Sequence, residues 1–90
     1  MRKNHNDPIT LALGALAATL GDPRRAQRFL DLTGIGTEEL KTRAADPALL
    51  AALLRFLEAY EPDLIAVAEA LGCKAQDLVE ARAEIEEGSA

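Results

Sequence analysis

Ninety residues, 49% of them apolar, contain 18 Ala and 15 Leu but only six Ile or Val, two Phe, one Tyr and no Trp. Ala and Leu lose little side-chain entropy in a helix, whereas strands draw on β-branched and aromatic residues, so a sandwich, a barrel or a parallel sheet is excluded. A formal charge of −5 argues against a generic polyanion binder, because such affinity rests on Lys and Arg neutralising phosphates.

Residues 1–7 read as a flexible polar tail ahead of a single helical domain over 8–87, with 88–90 as a second tail. Inside the domain all four prolines follow an acid: Asp7-Pro8, Asp22-Pro23, Asp46-Pro47 and Glu61-Pro62. An acid caps the free N–H groups of a first turn, and proline fits the first helical position, so each pair predicts a helix start. Glu61 is the weakest of the four caps, and Thr37 supplies a fifth start ahead of Glu38 and Glu39. Gly21, Gly34 and Gly72 mark stops, where a positive φ ends the last turn. The predicted helices are 8–20, 23–33, 38–45, 47–60, 62–71 and 75–87. Their connections are too short for parallel neighbours, so the chain folds as an all-α compact bundle of five to six short helices. Pro8 to Pro47 and Pro23 to Pro62 are both 39 residues and Gly34 to Gly72 is 38, a spacing open to internal duplication or to independent capping.

The first helix puts Ile9, Leu13, Leu16 and Leu20 on one stripe. Its back carries Leu11, Gly14, Ala15 and Ala18, a small-residue face that either packs within the chain or forms a homodimer seam. The fourth helix has only Arg55 and Glu58 as charged residues, which predicts a central, fully covered helix. Residues 64–82, LIAVAEALGCKAQDLVEAR, have the shape of a helix-turn-helix: Ala68 permits a close crossing and Gly72 takes the turn. In a DNA reader the second helix enters the major groove. Here it presents Asp77, Glu80, Glu84 and Glu87 as one acidic stripe, which repels phosphate, so DNA binding is the disfavoured alternative. The only basic cluster is Arg24, Arg25 and Arg28. Together with the acidic stripe it makes a candidate charged interaction surface, joined within the chain, across a dimer, or to another protein.

Groups for catalysis are few. His5 lies in the N-terminal tail, Ser89 in the C-terminal tail, and Cys73 sits in the turn as an apolar filler without a base beside it. One His and one Cys do not make a zinc site, and Gly34-Ile35-Gly36 follows a helix rather than a strand, which removes the dinucleotide-loop context. No catalytic, cofactor-binding or metal residue is assigned, and no cofactor is expected. A single Cys excludes an internal disulfide, and the apolar run Leu11–Leu20 is half the ~20 residues of a membrane span. A cytoplasmic protein without membrane contact is therefore expected.

Residues 29–82, through FLDLTGIGTEEL, AADPALLAALLRFL and AEALGCKAQDLVEAR, resemble an uncharacterised family of short bacterial helical proteins, the domain of unknown function 3572. Leu32-Thr33-Gly34, followed by Leu40 and by Asp46-Pro47, is the strongest element. The resemblance implies an all-helical cytoplasmic protein and brings no activity, cofactor or site residue. The expected role is a non-enzymatic, small protein-interaction or regulatory module with an unidentified protein partner.

Overall fold

Residues 7–88 are described by the computed structural model, so the expected tails lie, apart from Asp7 and Gly88, outside the described residues. Six helices follow in chain order: α1 (Pro8–Leu20), α2 (Pro23–Thr33), α3 (Thr37–Thr42), α4 (Pro47–Glu58), α5 (Glu61–Leu71) and α6 (Ala75–Gly88). No strand occurs among the described residues.

Three of the acid–proline pairs work as the sequence predicts. Asp7 accepts a hydrogen bond from the Thr10 N–H, Asp22 from those of Arg24 and Arg25, and Asp46 from that of Ala48. The fourth pair differs. Glu61 is the first residue of α5, and Tyr60 occupies the cap position without a side-chain bond. Thr37 is likewise inside its helix, behind Gly36, so the expected threonine cap is absent. Helix α3 stops at Thr42, short of residue 45, because Asp46 must be extended to cap α4. Arg43 holds this corner by bridging Glu39 and Asp46. Gly34 and Gly72 end their helices at φ 73°, whereas Gly21 stays right-handed at φ −75°. The Asp22 N–H donates to the Thr19 carbonyl, turning the chain tightly without a left-handed residue.

Helix α4 is the central element. Leu50, Leu53, Leu54 and Leu57 are fully enclosed, with Leu49, Ala51 and Phe56 buried around them. Helices α1, α5 and α6 pack on it, and α6 crosses back to α1, which brings the two ends of the domain together. Two arginines fasten α6 to α4. Arg82 bridges Glu58 and Glu86, and Arg55 reaches the same Glu86 at 2.6 Å. The Glu58 carboxylate, then Glu86, raises the pKa of Arg82, and Arg55 followed by Arg82 lowers that of Glu86.

The first helix, apolar on both faces in sequence, turns one of them inward. Leu11, Ala12, Ala15, Leu16 and Thr19 are buried, while Leu13 and Leu20 are more than a third exposed. The small-residue face, open in sequence to packing within the chain or to a homodimer seam, packs within the chain. Leu11 and Ala15 lie in the core, Ala18 packs against it, and Gly14 meets Leu71 of α5. The physical reason is space: α2, α4, α5 and α6 all lie against α1, and small side chains let them approach where leucines would hold them off. Thr19 tolerates burial because its hydroxyl donates to the Ala15 carbonyl at 2.8 Å.

Candidate functional site

A structured surface feature lies between α2 and α5. The pattern PRRAQRFL places Arg24 and Arg28 one helical turn apart, and Phe29 turns inward as the fully buried anchor of α2. Phe29 meets Phe56 of α4 edge-on, with ring centroids 5.3 Å apart. This contact fixes the rotation of α2, so its arginines face the start of α5.

Asp63 of α5 waits there, only 5% exposed. Its carboxylate accepts from Arg25 Nε at 2.9 Å and from Arg28 Nη2. A buried carboxylate is costly unless its charge is matched, and the two guanidinium groups match it. Arg25 also approaches Asp22 at 3.4 Å. The backbone N–H groups of α2, led by that of Arg25, hold the Asp22 carboxyl below its usual range. Arg28 is gripped a second time, by rings: its guanidinium carbon is 5.6 Å from the Phe56 centroid and 5.3 Å from that of Tyr60. A guanidinium held by a carboxylate and two aromatic faces is rigid, yet the Arg28 side chain remains 47% exposed.

The result is an open cleft of about 670 Å³, lined by Asp22, Arg24, Arg25, Arg28, Tyr60 and Asp63. Among the described residues the Arg24 side chain has no hydrogen-bond or ion-pair partner. A shallower recess of about 370 Å³ continues along α2 past Arg28 to Asp31, Leu32 and Phe56. Leu32 is 71% exposed and Tyr60 53%, so both offer apolar area beside the arginines.

The interaction residues expected from sequence are therefore divided. Arg24, Arg25 and Arg28 come together, but their acidic partner is Asp63 and no member of the α6 stripe. Of that stripe, Asp77 accepts from the Lys74 N–H at 2.9 Å, Glu80 accepts from Gln76, and Glu84 and Glu87 are exposed. The predicted turn between α5 and α6 is present: the Cys73 N–H donates to the Ala68 carbonyl across Gly72, and Leu78 and Ala81 turn inward. Its second helix carries those carboxylates outward, where phosphate would have to lie. Asp63, Tyr60, Phe56 and Leu32 were missed. Asp63 reads in sequence as an ordinary first-turn acid, and only the tertiary contact with α2 distinguishes it.

Cys73 is half-buried, and burial, with the Asp77 charge adding to it, pushes its thiol pKa up. A thiol so placed is a poor nucleophile at neutral pH. Among the described residues no three His, Cys, Asp or Glu side chains gather as a metal set, and no helix is long and apolar enough to cross a membrane.

Fold and surface define a small all-helical protein with an arginine–aromatic cleft between α2 and α5. The chain belongs to the family described as Protein of unknown function (DUF3572), whose model matches residues 5–88. No curated protein and no solved structure matches it.

Proposed function

We propose that this protein is a non-enzymatic protein-interaction module and that the α2–α5 cleft is its docking surface. One observation carries the reading: Arg28 is held between Phe56, Tyr60 and Asp63 while half its side chain faces solvent, with exposed Tyr60 and Leu32 on either side. Tyr and Arg dominate the energetics of protein interfaces, and a preordered guanidinium loses little entropy on binding. The rival reading as a DNA-binding regulator is opposed by the carboxylates on α6.

The test is affinity capture from an extract of the protein's own cells, run in parallel with a Tyr60→Ala, Leu32→Ser variant. Both side chains are largely exposed, so the variant keeps its fold. A protein retained by the native chain and lost from the variant is the expected result. Identical capture by both chains, or capture of nucleic acid at physiological salt, overturns the reading.

A further inference from the structure

We propose that the cleft takes a short extended segment of a partner protein carrying a carboxylate and an apolar side chain about four positions apart. This rests on the reading of the α2–α5 cleft as a docking surface and adds the chemistry of what docks there.

Three features of the surface select that ligand. The first is charge. Arg24, Arg25 and Arg28 face Asp22 and Asp63, so three positive charges meet two negative ones and a surplus of one positive charge remains. That surplus suits one carboxylate and is too small to hold a run of phosphates, whose binding scales with the number neutralised. The second is the distribution of free donors. Arg25 commits Nε and Nη2 to Asp63 and Asp22, and Arg28 commits Nη2 to Asp63. Arg24 and the Nε and Nη1 of Arg28 carry no such bond among the described residues, so they are the donors left for an incoming carboxylate. The third is direction. Arg24, Arg28 and Leu32 follow one another at four-residue steps along α2, which spaces the charged end from the apolar end by about 12 Å. Asp31 borders the Leu32 recess and accepts from Gln27 at 2.8 Å, so a second carboxylate is turned away from that end. In an extended segment about 12 Å is about four residues. An acid and an apolar residue about four positions apart therefore engage both ends at once, the carboxylate on Arg24 at the far end and the apolar side chain on Leu32 and Phe56.

The protein carries its own reporter. Tyr60 lines the cleft and is the only Tyr in a chain without Trp, so tyrosine emission comes from the cleft alone. The probes are capped hexapeptides without aromatic residues. Their first two positions are drawn from Asp and Glu, from Asn and Gln, or from Lys and Arg. Their last two are drawn from Leu, Ile and Val, or from Ser and Thr. The acidic–apolar set is expected to change Tyr60 emission saturably, and its neutral amide counterparts to bind at least about tenfold more weakly. Arg24→Glu and Leu32→Ser are expected to weaken the acidic–apolar peptides, each acting on its own end. Neither side chain is part of the packed core, so far-ultraviolet circular dichroism stays native for both.

Equal or tighter binding of basic or uncharged apolar peptides overturns the acidic assignment while leaving the docking surface standing. Displacement of the peptide by oligothymidylate at physiological salt overturns it in favour of nucleic acid. No peptide response overturns the acidic assignment outright. If the capture experiment also shows no partner sensitive to Tyr60 and Leu32, the docking surface falls with it.

Discussion

Asp63 is the residue on which the surface turns. Replacing it with Ala removes the negative charge that Arg25 and Arg28 share and leaves the two guanidinium groups of α2 side by side against α5 without it. Arg25 is mostly buried and Arg28 half-exposed, so the loss is smaller than for a fully enclosed pair, about 2 kcal/mol in urea denaturation. Asp63→Asn keeps the shape and loses the charge, and is expected to fall between Ala and the native chain. Cys73 gives a second expectation at this scale. With its thiol pKa raised by burial and by Asp77, it should react with a neutral-pH thiol reagent more slowly than free cysteine does, and unfolding in urea should restore the ordinary rate. Labelling as fast in the folded state as in the unfolded one would refute this. Neither residue's environment is legible in the sequence. Asp63 occupies a first-turn position where any helix welcomes an acid, and its two arginines lie 35 and 38 residues away.

Helix starts and stops, by contrast, are written locally. Asp7, Asp22 and Asp46 cap their own helices, and Gly34 and Gly72 supply the left-handed stops, because each device acts within a few residues. Which face of α1 points inward is not local. Both its faces are apolar, so periodicity could not choose, and the choice fell to the small residues that admit α4, α5 and α6. Gly14 tests that account. A Cβ there would come within 3.2 Å of Leu71 Cδ2, the far end of a half-buried side chain that can give way. Gly14→Ala is therefore expected to stabilise the fold, by up to about 1 kcal/mol from helix propensity. Gly14→Leu should destabilise it by forcing α5 off α1. Loss of stability in both variants alike would mean that α1 and α5 have no room to adjust. The caps also set the pH response. Arg43 before the Ala48 N–H depresses the Asp46 pKa, the Arg25 N–H that of Asp22, and Arg55 that of Glu86. Depressed carboxylates stabilise the folded state above their unfolded pKa of about 4 and lose that contribution as pH falls through the lower folded values. Thermal unfolding midpoints should thus be flat in these groups from about pH 6 to 5 and fall below about pH 4.

At the scale of the whole molecule the Ala and Leu surplus resolves into one core with α4 at its centre. A radius of gyration of 12.1 Å is what about 90 residues adopt as a single compact body. Since α1 packs against α6, neither end of the domain can leave without opening the sides of α4. Unfolding should consequently be all-or-none, with a total stability of about 5–13 kcal/mol for a chain this size. Two leucines expose how unequally that total is held. Leu54 is fully enclosed, and Leu54→Ala removes its packing and leaves a cavity, which costs about 3–5 kcal/mol. Leu32 is 71% exposed at the end of α2, and Leu32→Ala should change stability by less than about 0.5 kcal/mol. An exposed leucine that contributes so little to folding, placed beside a fixed arginine, is free to contribute to binding instead. Urea denaturation of both variants followed by circular dichroism checks the contrast. The Leu54 variant should shift the midpoint strongly at an unchanged slope, and the Leu32 variant should overlay the native curve. A large loss at Leu32 would place that side chain in the folded core and remove the apolar end of the proposed docking surface.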